Sequence, residues 1–158
     1  MINHPFKPVY DKNSKILILG SFPSVKSREE MFFYGHKQNR FWKVTAAVFG
    51  CLVPETTEEK RKFLIDNNIA VWDVIASCDI TASADSTIKN VKANDLSVIL
   101  NCADIVKIFV NGRTAEKYYN KYILKTVGRS AVCLPSTSPA NAAWSLEKLT
   151  EAWRVIKV

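Results

Sequence analysis

Residues 15–24 read Lys-Ile-Leu-Ile-Leu-Gly-Ser-Phe-Pro-Ser, a short aliphatic run that stops on glycine, serine and proline. A run of this length without polar alternation suits a central strand covered on both faces, as the strands of a parallel sheet are. Three more runs share its character: 69–75 (IAVWDVI), 105–110 (IVKIFV), ended by Asn111-Gly112, and 131–134 (AVCL), ended by Pro135. Helical spacing fills the intervals. Phe41, Trp42, Ala46, Val48 and Phe49 predict a helix that begins near Asn39 and stops at Gly50. Thr56 or Thr57, followed by Glu58 and Glu59, caps a second helix over 60–67 that buries Phe63 and Leu64. Asn94 or Asp95 caps 96–102, and 114–124 is helical through Tyr118, Tyr119 and Tyr122. Thr137 or Ser138 caps a last helix with Pro139 in its first turn, running through Trp144, Leu149 and Trp153 to the end.

Four strands alternating with helices predict a three-layer α/β/α sandwich around a four-stranded parallel sheet, with its ligand site beyond the carboxyl ends of the strands. The turn at 20–24, Asp73 at the end of the second strand, Asn111-Gly112 and the segment 136–141 should therefore meet in one cleft. Residues 77–91, rich in Ser, Thr, Asp and Ala, read as a long irregular loop. Structureless loops beyond about 12–15 residues are uncommon unless they serve a site, so this one is a candidate cleft wall.

At 158 residues, 47% of them apolar, the chain is expected to form one domain over 1–158. Its formal charge of +7 favours encounter with polyanions such as nucleic acid. Cys51, Cys78, Cys102 and Cys133 stand apart, which argues against a zinc ribbon, an iron–sulfur cluster or a disulfide framework. With His4 and His36 as the sole imidazoles, no metal site and no cofactor are expected. No stretch approaches the roughly 20 apolar residues of a membrane span, and a reducing cytoplasm is the simplest location.

The strongest local signal is 34–42, YGHKQNRFW, where groups able to read an amide edge precede an aromatic pair. With GSFPS at 20–24, Trp72-Asp73 and PSTSPANA at 135–142, it resembles the uracil-DNA glycosylase superfamily. Members of that superfamily often show a strand followed by a G-x-x-P turn, an H-x-x-N-x-F-W segment, a W-D strand and, near the C-terminus, an S-P or S-x-S-P-A turn opening the last helix. The likeness spans about 15–157 and is nearest to the hypoxanthine (deoxyinosine) branch, because Ser21 stands where many uracil-specific branches carry Asn or Asp. One departure is that His36-Lys37-Gln38-Asn39 replaces the usual H-P-R-N.

The resemblance implies an enzyme that hydrolyses the N-glycosidic bond of a deaminated base, hypoxanthine ahead of uracil, flipped out of DNA; no cofactor is implied, and a monomer is expected because one enzyme wraps one lesion. Such a reaction builds positive charge on the sugar and negative charge on the departing base, and a stacked base must first be everted. Asn39 is the first candidate for catalysis, since its amide has both a donor and an acceptor for the lactam edge shared by hypoxanthine and uracil. His36 is the second, holding the loop or polarising the base. Ser21, Phe22, Pro23, Tyr34 and Asp73 are expected in the base pocket, with Phe22, Phe33 or Tyr34 stacking on the base. Ser24, Arg40, Ser136, Ser138, Pro139, Ala140 and Asn141 are expected against DNA, the Ser138-Pro139-Ala140 turn offering a phosphate site at a helix N-terminus. Asp73 reads either as a general base or as a cap for loop N–H groups. With no acid in the GSFPS turn, the reaction should lean on leaving-group stabilisation. The rival is a non-catalytic nucleic-acid-binding domain of the same fold; a phosphate-loop nucleotide hydrolase is disfavoured because G-x-x-x-x-G-K-[ST] and G-x-G-x-x-G are absent.

Overall fold

A computed structural model describes residues 1–158. In chain order its elements are β1 (Ile2–Asn3), β2 (Ile16–Gly20), α1 (Val25–Glu30), α2 (Phe41–Phe49), α3 (Thr57–Asp66), β3 (Ile69–Asp73), β4 (Ile75–Asp79), β5 (Lys89–Ala93), α4 (Ser97–Leu100), β6 (Lys107–Asn111), α5 (Arg113–Tyr122), α6 (Leu124–Val127), β7 (Val132–Leu134) and α7 (Leu146–Trp153). The main sheet has the order β3-β2-β6-β7, and every pairing in it is parallel. Strand β2 is central, with Ile18 opposite Val71 on one side and Phe109 on the other. All five of its residues are buried.

Alternation along β2 divides the core in two, because successive side chains of a strand point to opposite faces. Ile16 and Ile18 pack with Phe41, Trp42, Phe63 and Trp153 of α2, α3 and α7. Leu17 and Leu19 pack with Ile99, Ala115 and Tyr119 of α4 and α5. These are the outer layers of the expected α/β/α sandwich. Helix ends follow local chemistry: Thr56 and Glu59 form a reciprocal capping box on α3, and Gly50 closes α2 in the left-handed region at φ 66°. None of the helices is long and apolar enough to cross a membrane.

Three expectations are corrected. The run 69–75 does not stay in one sheet: after Asp73 the chain bends, Val74 and Ile75 donating their N–H groups to Gly20 and Ser21 carbonyls, and β4 continues in a second, antiparallel sheet of order β1-β4-β5. The supposed loop 77–91 is accordingly a hairpin, with a 3-10 turn at Asp85–Thr87 near its tip. Strand β5, Lys-Asn-Val-Lys-Ala, is polar because it is an edge, where charge discourages pairing with other chains. Finally, α7 is capped by Ser145, whose Oγ accepts from Lys148 N, so 136–144 is a run of turns and not the first turns of a helix. Helix α1, capped by Ser24, was not anticipated.

Candidate active site

The carboxyl ends of β2, β3, β6 and β7 open onto a cleft of about 1070 Å³, as the parallel-sheet rule requires. Ser21, Phe22, Pro23, Ser24, Tyr34, His36, Asn39, Asp73, Ser136, Ser138, Pro139, Ala140 and Asn141 all line it. Of the expected site residues Arg40 alone does not.

Asn39 lies just ahead of α2, and its Oδ1 accepts from Phe41 N at 2.9 Å and from Thr137 Oγ1 at 2.9 Å. These two donors fix which end of the amide is oxygen. The Nδ2 group has no hydrogen-bond partner in the protein, and Asn39 lines the cleft. Thr137 is fully buried and joins three segments: its Oγ1 accepts from Asn111 Nδ2 at 3.0 Å, its N–H donates to Asn111 Oδ1 at 3.1 Å, and its carbonyl accepts from Arg40 N at 3.0 Å. The Asn39 amide is therefore locked to the end of β6 and to the turn after β7.

Arg40 has a different task from the phosphate contact expected of it. Its guanidinium donates to the carbonyls of Ser138, Asn141 and Trp144, closing the 138–144 turns in the way a helix would have done. Within those turns Ser136 Oγ accepts from Ser138 N at 3.1 Å, Ser138 Oγ from Ala140 N at 3.2 Å, and Asn141 Nδ2 donates to Ser136 O at 3.0 Å. Ser24 spends its hydroxyl on Ser27. His36 is exposed on the rim, with Nδ1 accepting from Gln38 N at 3.1 Å.

Phe22 stands on the cleft wall, with the Arg28 guanidinium 5.8 Å from its ring centre; Arg28 also donates to Ala82 O at 2.7 Å and ties α1 to the hairpin. Tyr34 stacks on Phe41 at 4.1 Å and 17°, while its backbone is held in the left-handed region at φ 52°, an unfavourable state that surrounding structure must enforce. Its phenol is buried with no hydrogen-bond partner. Burial first, and the neighbouring Asp73 charge second, push its pKa well above the usual tyrosine range, so the phenol keeps its proton and can donate.

Asp73 is 4% exposed. It caps no loop N–H group with its side chain; Oδ2 instead bonds His4 Nε2 at 2.7 Å. Oδ1 lies beside Gly20, where a Cβ would stand 2.4 Å from it and 3.0 Å from Tyr34 Oη. That close approach, not backbone freedom, is why position 20 is glycine. In Gly20→Ala the carboxylate must leave its place, and an overpacked interior of this kind costs about 1–3 kcal/mol. The expected outcome is a protein that melts several degrees lower and has lost its site activity; wild-type behaviour in both would show that the carboxylate is free to move.

Sequence reading missed His4, Thr137 and Asn111 as site residues. Asn111-Gly112 was legible as a strand end and Thr137 as a cap, but the side-chain pairing between them was not. Nothing in the sequence singled out His4.

The fold is an α/β/α sandwich whose strand ends frame a cleft lined by aromatic rings, a fixed amide and a buried carboxylate. The model of the uracil DNA glycosylase superfamily matches residues 7–157, and the chain belongs to that superfamily. It is 34% identical to a protein of Methanosarcina acetivorans named hypoxanthine DNA glycosylase, over 99% of this chain and 98% of that one. A protein of the same name from Methanosarcina barkeri is 32% identical over 94% of this chain and 93% of its own length. Among solved structures, an NMR structure of a candidate uracil DNA glycosylase from Methanosarcina acetivorans superposes with a TM-score of 0.81 at 33% identity, covering 100% of both chains.

Proposed function

We propose that this protein excises hypoxanthine from DNA by hydrolysing the N-glycosidic bond of a deoxyinosine flipped into the cleft. It is a DNA glycosylase, a hydrolase of N-glycosyl bonds, and the names of its two Methanosarcina relatives support hypoxanthine over uracil as the preferred base.

The observation that carries the reading is the asymmetry of the Asn39 amide on the cleft lining: Oδ1 is held by two donors, while Nδ2 has no hydrogen-bond partner in the protein and can serve the base. As the bond to the sugar breaks, negative charge collects on the base. A donor held in place beforehand stabilises that charge at no cost of reorganisation, and removing one such donor typically slows a reaction by about 10²–10³-fold. Phe22 offers a face for stacking the base, and Ser21, Pro23 and Tyr34 shape the pocket. His36, on the rim, steadies the loop before Asn39. The 136–141 turns and Ser24 meet the flanking backbone, with Arg40 holding the turns in shape and the net charge of +7 assisting encounter. We take residues 1–158 as one glycosylase domain acting as a monomer without a cofactor, in a reducing cytoplasm where all four thiols stay free.

Incubation with labelled duplexes carrying deoxyinosine, deoxyuridine or deoxyadenosine, followed by alkaline cleavage of abasic sites, tests this. Cutting at deoxyinosine, less at deoxyuridine and none at deoxyadenosine is expected. Tight binding with no abasic product from any duplex would make the protein a nucleic-acid-binding domain instead.

A further inference from the structure

The chain just after the N-terminal strand reaches Asp73, which lines the cleft. Strand β1 pairs with β4, placing Ile2 opposite Cys78 and Asn3 opposite Ser77, and His4 N then donates to Ala76 O at 2.7 Å. This carries the His4 ring to the end of β3, where it sits among Phe6, Phe22 and Phe33 at centroid distances of 4.6, 6.0 and 6.0 Å. The side chains of His4 and Asp73 are each 5% exposed, with 2.7 Å between Nε2 and Oδ2. A carboxylate can only accept, so the shared proton sits on Nε2.

One oxygen of Asp73 is thus occupied. The other, Oδ1, stands with Tyr34 Oη around the place a Gly20 Cβ would take; Oδ1 makes no hydrogen bond to the protein, and the buried Tyr34 Oη has no partner. A buried phenol is almost always paired, so an unpaired one beside an open carboxylate oxygen, both residues lining the cleft, marks a place where a ligand completes the bonds.

We infer that His4 is a positioning residue of the base pocket: it holds Asp73 so that Oδ1 and the Tyr34 hydroxyl form an acceptor–donor pair for the lactam edge of the everted base. The inference rests on the reading that a flipped base occupies the cleft. A lactam presents N–H beside C=O, as in hypoxanthine and uracil, which matches carboxylate beside phenol. Adenine and cytosine present a bare ring nitrogen beside an amine. The phenol can rotate to accept from the amine, but the carboxylate would then face a lone pair, and a buried acceptor left unpaired is what makes such a site reject the wrong edge. Selection against the undeaminated base therefore depends on Asp73 keeping one orientation, and that orientation is set from the third residue before Lys7, outside the part of the chain where the glycosylase motifs lie.

The test uses the whole protein in single-turnover excision from deoxyinosine duplexes, with deoxyadenosine duplexes as the control. His4→Ala should lose about ten- to a hundredfold in kcat/KM, the range for a lost hydrogen bond to a charged group, with the loss persisting at temperatures where circular dichroism shows a folded protein. His4→Gln, whose amide N–H can reach the same carboxylate oxygen, should recover most of it. Asp73→Asn should narrow the preference for deoxyinosine over deoxyadenosine, and adding His4→Ala to Asp73→Asn should cost almost nothing more, because the two act through one bond. Should His4→Ala not fold, the selectivity of His4→Gln and the Asp73→Asn result decide. An unchanged rate per folded molecule in His4→Ala, or additive losses in the double variant, overturns the role of His4 while leaving the glycosylase reading intact. A wild-type protein that leaves deoxyinosine uncut sinks both.

Discussion

Asn39→Asp is expected to keep its fold and to lose about 10²–10³-fold in excision rate. An aspartate at 39 still presents an oxygen to Phe41 N and Thr137 Oγ1, so the entry to α2 and the link to the turn after β7 survive. What disappears is the Nδ2 donor, and a negative charge takes its place where the departing base becomes negative. Asn39→Ala removes both functions and should also be less stable, by about 1 kcal/mol for the lost hydrogen bond to Phe41 N. Single-turnover excision from a deoxyinosine duplex, paired with thermal melting, separates the two variants. Near wild-type rates in Asn39→Asp would remove this amide from the chemistry.

The largest effect on stability is expected from Trp153→Ala. Trp153 is 0% exposed, meets Phe41 edge to face at 5.9 Å, and donates its indole N–H to Pro135 O at 2.9 Å. Deleting it leaves a cavity and an unpaired carbonyl, a loss of about 3–5 kcal/mol, which lowers the melting temperature by roughly 10 °C in a chain of this size. Activity should fall with it even where the protein stays folded, because Phe41 follows the Asn39 loop and Pro135 opens the segment that carries Thr137. Trp153→Phe should recover part of the stability and little of the Pro135 contact. A melting temperature within two or three degrees of wild type would show that α2 and α7 can collapse onto the gap.

Placement of Phe22 and the 136–141 segment around one cleft was legible in the residues, since the end of each buried strand was marked by Gly20, Asn111-Gly112 or Pro135, whereas Asn39 was placed there by the family resemblance. The bend at Val74 was not. In a run such as IAVWDVI the same apolar residues suit one long strand or two short ones in different sheets, and the choice was made by backbone bonds to Gly20 and Ser21. The last helix misled for a related reason. Ser-Pro-Ala after a strand is a sound helix start on local chemistry, but Thr137 is taken by Asn111 and Asn39, and the Arg40 guanidinium supplies the carbonyl partners that helix continuation would have supplied.

The four parallel strands, the capped helix α3 and the side of the sheet on which the site lies were determined by the sequence alone, because periodicity, caps and turn residues act between neighbours along the chain. Tertiary structure alone decided that His4 grips Asp73 across 69 residues and that Thr137 grips Asn39 across 98. Each of those bonds is worth having only where folding has already stripped water from both partners, and no local pattern records which distant residue will be waiting there.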